Sequence, residues 1–236
     1  MRINKYIATS GIASRRKAEE FVTLGKVKVN GRMVKDLAYN VKKTDIVTVD
    51  GKKIDVLSEH VYLMLHKPKG YICSNSDEKG RKTVLELVKG RYEKMRLFTV
   101  GRLDYDTEGL IILTTDGDMA NKITHPSFEM PKKYIAKIEG EITSDEIKKI
   151  SDGIILDGVV TKPCKVRLLN FEDNISRLQV VITEGRNRQV RRMFENINRE
   201  VIFLKRTEIG NIRLGGLTRG TFRELNKKEL LFLKRL

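Results

Sequence analysis

The sequence predicts an α+β protein in two units, a small basic one over residues 1–58 and a larger one over residues 60–236. Three observations carry that expectation. Two alternating runs centred on Asn30-Gly31 and Asp50-Gly51 read as tight hairpins inside the first quarter of the chain. The texture then changes near Ser58, where short polar-flanked runs give way to longer apolar ones. Beyond that point, strand-like runs alternate with segments that open on a capping residue and repeat apolar side chains at helical spacing.

Composition narrows the function classes. Of 236 residues, 40% are hydrophobic and 33% charged, as in a soluble globular protein. The net charge of +16 points to a polyanionic partner, and nucleic acid is the commonest one. Neither end carries a basic amphipathic helix with exposed apolar bulk, which argues against a lipid surface. No run is long enough to span a bilayer, and Met1-Arg2-Ile3-Asn4-Lys5 lacks the apolar core of a secretion signal, so the cytoplasm is the expected compartment. Cys73 and Cys164 stand far apart, and His60, His66 and His125 show no ligand spacing. Neither a disulfide framework, a metal site nor a cofactor is expected.

Taken in order, Ile3, Tyr6 and Ile7 share a helical face that Gly11 can stop. Ser14 caps a second helix with Ala18, Phe21 and Val22 on its apolar face and Gly25 at its end. Arg15, Arg16 and Lys17 fill its first turn, where cations oppose the helix dipole; a bound phosphate would account for them. The two hairpins follow, over 27–34 and 47–54. Residues 1–58 hold thirteen Lys or Arg against six Asp or Glu.

In the larger unit, Val61 to Leu65 reads as a strand, followed by a turn from His66 to Tyr71. Ser74 to Lys82 reads as a polar surface loop, Thr83 to Val88 as a short helix, and Arg91 to Arg96 as a basic connector. Leu110 to Leu113 is a buried strand closed by Thr115-Asp116-Gly117. Asp118 is placed as the cap of a helix through Ile123, Lys132 to Ile138 as a strand, and Ser144 as the cap of a helix over 145–150. Leu178 to Thr183 is a strand. A helix from Asn187 would put Val190, Met193, Phe194 and Ile197 on one side and Arg188, Arg191 and Arg192 on the other. Val201 to Lys205 is a strand, 210–220 is turn-like, and Asn226 opens a closing helix.

The chain is organised around Gly101-Arg102-Leu103-Asp104-Tyr105-Asp106-Thr107-Glu108-Gly109 and the Leu110-Ile111-Ile112-Leu113-Thr114-Thr115-Asp116-Gly117 that follows. A polar turn with three acids and one arginine sits between two strands, and its glycines allow sharp turning or close approach. Asp-x-Asp between strands is often just a solvated turn; the full wording is far more particular. It resembles the catalytic motif of bacterial pseudouridine synthases, in the two-domain branch that modifies ribosomal RNA. Ser14-Arg15-Arg16-Lys17-Ala18-Glu19, with the two Gly-turn hairpins, resembles the RNA-binding domain named after ribosomal protein S-four. Lys67-Pro68-Lys69-Gly70 is similar to the entry strand of the same synthases, Lys133-Tyr134 to their second motif, and Glu184-Gly185-Arg186-Asn187-Arg188-Gln189-Val190-Arg191-Arg192-Met193 to their third.

That resemblance implies a catalytic domain with a mixed, mainly antiparallel sheet flanked by helices, behind an S4-like domain. It implies that Asp104 is the nucleophile, that Tyr134 stacks on the target base, and that Arg191 pairs with Asp104. A neighbouring guanidinium favours the charged form of a carboxylate. Arg102 is a candidate to receive the extruded uridine. Arg186, Arg188 and Arg192, with Ser14, Arg15, Arg16 and Lys17, are candidates to hold RNA, since guanidinium suits bidentate phosphate binding. The implied activity isomerises a uridine of ribosomal RNA, in the large subunit rather than the small, without cofactor and as a monomer. Two other classes fit the residues less well. A non-catalytic RNA-binding or assembly protein would use both basic regions for docking. A glycoside-cleaving enzyme would use Asp104 and Asp106 as a carboxylate pair, but leaves the third motif's arginines unexplained.

Overall fold

The computed structural model describes residues 1–75, 77–93 and 95–236; Ser76 of the expected polar loop and Lys94 of the expected connector lie outside the described residues. At the N-terminus α1 (Ile3–Thr9) and α2 (Arg15–Thr23) pack on β1 (Val27–Val29), β2 (Arg32–Met33), β3 (Val47–Val49) and β4 (Lys52–Ile54). These strands form their own antiparallel sheet in the order β2-β1-β3-β4. Asn30 and Asp50 take positive φ at 51° and 48°, as the two hairpin turns require. Ile3, Ile7, Ala18, Val22, Val27 and Val47 are fully buried in a core separate from the rest. The Ser14 side chain caps α2 by accepting from the Lys17 N–H at 3.1 Å, as expected.

The remainder comprises, in order, β5 (Tyr62–Lys67), β6 (Phe98–Val100), β7 (Glu108–Thr114), α3 (Gly117–Thr124), β8 (Lys132–Glu139), α4 (Ser144–Asp152), β9 (Ile155–Leu156), β10 (Val159–Val160), β11 (Lys165–Glu172), β12 (Ile175–Ile182), α5 (Gln189–Glu195), β13 (Val201–Ile209), β14 (Ile212–Arg213), β15 (Phe222–Glu224) and α6 (Lys227–Lys234). The main sheet runs β11-β12-β8-β13-β7-β5-β15, with β6 paired to β7 and β14 to β13. The β13–β7 pair is parallel and the others are antiparallel. The mixed, mainly antiparallel sheet is thus present.

The sheet divides its cover unevenly. On one face, Tyr134, Ala136 and Ile138 of β8 and Leu178, Val180 and Ile182 of β12 build the larger core with Val190, Met193 and Phe194 of α5 and Ile150 of α4. On the other, α3 and α6 cover the β7–β5 half and the end of β13, through Met119, Ile123 and Leu233 against Met64, Leu110, Ile112 and Ile209. β7 is buried along its whole length because both its faces are covered.

Three helix starts differ from expectation by one or two residues. Asp116, not Asp118, caps α3: its carboxylate accepts from the Asp118 and Met119 N–H groups at 3.0 Å each and from the Tyr62 hydroxyl at 2.6 Å. Thr143, not Ser144, caps α4, in a reciprocal box with Glu146. α5 begins at Gln189 rather than Asn187, because Arg188 sits at φ 46°, outside the right-handed helix.

Candidate active site

The loop 101–109 joins β6 to β7, the sheet's fully buried strand, so its acids are carried on rigid support. Lys67 fixes the loop from beneath. This side chain is fully buried at the end of β5, and its ammonium donates to the carbonyls of Pro68 at 3.1 Å, Asp104 at 2.9 Å and Thr107 at 2.7 Å. Three acceptors satisfy three N–H donors, which is what allows a lysine to be buried here. Burial nevertheless lowers its pKa below the ordinary lysine value. The Thr107 N–H closes the turn onto the Asp104 carbonyl at 3.1 Å.

Gly109 decides how closely the loop meets the sheet. At φ 114°, a Cβ there would stand 2.2 Å from the Arg206 carbonyl oxygen and 2.6 Å from its nitrogen. No side chain can yield at such a backbone contact, so the parallel pairing of Gly109 with Arg206 requires glycine. Arg206 itself is buried, and its Nε donates to the Leu110 carbonyl at 2.8 Å.

A cleft of about 270 Å³ opens between this loop and the third motif. It brings together Arg102, Asp104, Tyr134, Arg186 and Arg188, with Lys132 and Arg206 also on its wall. Tyr134 is only 7% exposed, held in the sheet between Val180 and Arg206. Lys132, two residues earlier on the same face of β8, donates to the Met130 carbonyl at 2.9 Å. Burial first, and then the Arg206 charge, bring its pKa down to about 8.

The two aspartates of the loop are treated differently. Asp106 forms ion pairs with Arg191 Nη2 at 3.1 Å and Arg188 Nη1 at 3.4 Å. Among the described residues, the Asp104 carboxylate has no ion pair within 4.0 Å. The expected Arg191–Asp104 pair is therefore replaced by Arg191–Asp106. They stand at the first and third positions of the turn that Thr107 closes, so their side chains leave it in different directions. Arg191, on buried α5, reaches the third position. It also donates to the carbonyls of Val201 at 2.6 Å and Asp106 at 3.2 Å, and it does not line the cleft.

Two further arginines of the third motif already hold protein groups. Arg186 donates to the carbonyls of Val159 and Val160 at 2.9 Å each. Arg192 makes a bidentate pair with Asp157 at 2.6 and 2.9 Å. Both anchor the β9–β10 hairpin beside the cleft. Arg102 and Arg188 are exposed at its rim, and Arg15, Arg16 and Lys17 are exposed on α2 in the N-terminal unit. Sequence reasoning missed Lys67, Lys132 and Arg206. Lys67 was visible as the start of Lys-Pro-x-Gly, and Lys132 as the residue sharing a strand face with Tyr134; Arg206 carried no signal of its own.

Comparison with known proteins places this geometry. Residues 61–196 match the RNA pseudouridylate synthase family and residues 1–47 match the S4 domain. The chain is 46% identical to ribosomal large subunit pseudouridine synthase B of Bacillus subtilis (strain 168), over all of this chain and 96% of that protein. It is 37% identical to the dual-specificity RNA pseudouridine synthase RluF of Escherichia coli (strain K12), over all of this chain and 79% of that protein. A crystal structure of a pseudouridylate synthase superposes with a TM-score of 0.72 at 31% identity, covering 99% of each chain. With a cleft built on the Gly-Arg-Leu-Asp loop and an S4 domain in front, the chain belongs to the RNA pseudouridylate synthase family.

Proposed function

We propose that this enzyme converts a uridine of large-subunit ribosomal RNA to pseudouridine, with Asp104 as nucleophile. One observation carries the choice of residue. Of the two aspartates on the loop, Asp104 lines the cleft without an ion-pair partner among the described residues, while Asp106 is held by two arginines. A nucleophilic carboxylate needs its lone pairs free and its position fixed. Lys67 fixes the Asp104 backbone without touching its carboxylate. The choice of ribosomal RNA, and of its large subunit, follows the name of the B. subtilis relative, whose whole length this chain nearly spans.

In this reading the target uridine leaves its stack and enters the cleft, where Tyr134 offers a ring face and Arg102 and Arg188 meet its phosphates at the rim. The N1–C1′ bond breaks, the uracil turns, and a C5–C1′ bond forms. The C5 hydrogen leaves as a proton and N1 gains one, so the reaction is an isomerisation with no redox change. Arg191 acts behind the site, keeping the turn that bears Asp104 attached to α5. Arg186 and Arg192 support the hairpin on the cleft's border rather than the RNA directly.

The test is tritium release from ribosomal RNA transcripts made with 5-tritiated uridine, because the C5 hydrogen is lost on every turnover. Release from large-subunit transcript by the intact enzyme, and none by Asp104→Asn, is the expected result. Release from small-subunit transcript alone would overturn the substrate assignment.

A further inference from the structure

Half of the main sheet is open on the face away from the cleft. Along β11, β12 and β8, burial alternates, and the residues pointing away from the core face solvent. α3 and α6 cover the β7–β5 half of that side, leaving β11, β12, β8 and the start of β13 uncovered.

Cations are the commonest side chains on this open face. Across the strands, Arg167 stands opposite Gln179, Gln179 opposite Ile135, and Ile135 opposite Lys205. In the neighbouring rows Arg177 faces Lys137, which faces Phe203, and Lys165 reaches Lys133 through Val181. Lys137 and Lys69 both lie over the Phe203 ring, at 5.7 and 5.4 Å from its centroid. Among the described residues, carboxylates stand at the margins of the face, including Glu108 of β7, which lies opposite Lys205 and is ion-paired with Arg219 at 3.4 Å. Glu208 is salt-bridged to Lys133 at 2.8 Å at one end, and Glu139 and Glu172 lie at the other. Among the described residues, none of Lys69, Lys137, Lys165, Arg167, Arg177 and Lys205 has a carboxylate within 4.0 Å.

Six cations gathered without ion-pair partners repel one another, and a bound polyanion removes that repulsion. We propose that the open β11-β12-β8-β13 face is a second RNA-docking surface, which holds the sugar-phosphate backbone of the substrate away from the cleft. The Phe203 ring is already capped by two lysines, so the face offers charge rather than a platform for stacking bases. It therefore gains affinity without reading sequence. The partner is RNA rather than anionic lipid because the chain belongs to an RNA-modifying family, and because Phe203, Ile135 and Val181, the apolar groups between the cations, are half-buried in the sheet.

The test compares two variants of the full chain that each lose four positive charges. One carries Lys137→Gln, Lys165→Gln, Arg167→Gln and Arg177→Gln on the open face. The other carries Lys148→Gln, Lys149→Gln, Lys227→Gln and Lys228→Gln, on the exposed sides of α4 and α6. Binding to a full-length large-subunit transcript is measured against salt, together with turnover at saturating RNA. The open-face variant should weaken binding at least tenfold and flatten the slope of log K on log salt by about 0.7 for each phosphate no longer neutralised. Its saturated turnover should stay within twofold. The α4/α6 variant should bind nearly as the parent does. Equal losses in the two variants would mean that only net charge matters, and no loss in the first would mean that RNA does not reach this face. Either overturns the proposal, as does a loss confined to phosphatidylserine vesicles, which would make the partner a membrane. If the four-fold variant does not fold, Arg167→Gln with Arg177→Gln should give about half the change. Turnover is read separately from binding, so failure here leaves the catalytic assignment untouched.

Discussion

Arg191 reaches Asp106 twice from one nitrogen, with Nη2 ion-paired to the carboxylate at 3.1 Å and donating to the carbonyl at 3.2 Å, while its Nη1 donates to the Val201 carbonyl at 2.6 Å. One buried guanidinium thus joins three elements: the loop before β7, α5 and the start of β13. Lysine, a point charge without the planar fork, cannot hold these acceptors together. Arg191→Lys is expected to lose about 1–3 kcal/mol of stability in urea unfolding, the cost of leaving buried carbonyls short of a donor. Turnover should fall while KM changes little, because Arg191 does not line the cleft. A variant as stable as the parent, with a raised KM, would assign Arg191 to the RNA instead.

Lys67 offers a sharper version of the same argument. Lys67→Met keeps the length of the chain but leaves the carbonyls of Pro68, Asp104 and Thr107 without their shared donor. At about 1–3 kcal/mol for each buried group left unpaired, some of it recovered by no longer burying a charge, a net loss of about 3 kcal/mol is expected. The urea midpoint measures it. A midpoint unmoved or raised would show that the loop does not depend on this ammonium.

The alkaline limb of the pH profile should belong to Lys132. Its pKa is lowered to about 8, so the cleft carries this charge below pH 8 and loses it as pH rises through that value. RNA affinity should weaken between about pH 7.5 and 9. Lys132→Arg keeps a charge that does not titrate in this range, and the limb should vanish. If the limb persists in that variant, another group sets it.

The two units carry separate cores, and an exposed ion pair between Lys5 and Asp118 at 2.7 Å runs between them. Residues 60–236 are therefore expected to fold alone and to bind ribosomal RNA more weakly than the full chain. An unfolded fragment, or one that binds equally well, would place the division elsewhere.

Much of this architecture was legible because local signals agreed with the global fold. Asn30-Gly31 and Asp50-Gly51 announced their hairpins, Ser14 and Asn226 capped the helices expected of them, and the Leu110–Leu113 run fell inside the sheet's most buried strand. β11 was missed because its exposed residues include Leu169 and Phe171, which blur the alternation, and because its hairpin turns through Asp173-Asn174. Both take positive φ, at 51° and 58°, without the glycine that usually marks such a turn. Within the candidate site, sequence motifs pointed to a loop that lines the cleft but not to its wiring. Whether Arg191 meets the first or the third residue of a turn depends on the direction in which each side chain leaves it, and spacing along the chain does not carry that information.

The decisive test remains the pair of aspartates. Charge alone does not distinguish Asp104 from Asp106, since both are acids on one turn. Their surroundings differ: Asp104 lines the cleft without an ion-pair partner among the described residues, and Asp106 serves Arg188 and Arg191. Asp104→Asn preserves shape and hydrogen bonding while removing the charge of the proposed nucleophile, so turnover should fall by more than about a thousandfold, roughly 4 kcal/mol of barrier. RNA binding should survive or tighten, because a negative charge beside the phosphates is gone. Asp106→Asn weakens the hold of Arg188 and Arg191 on the turn but leaves the proposed nucleophile in place. Its turnover should drop by no more than about tenfold, or roughly 1.4 kcal/mol, with a lowered urea midpoint. Tritium release and RNA affinity for both variants, at one salt concentration, decide the matter. Should Asp106→Asn be inert while Asp104→Asn still converts uridine, the nucleophile is Asp106, and Arg191 becomes its direct electrostatic partner.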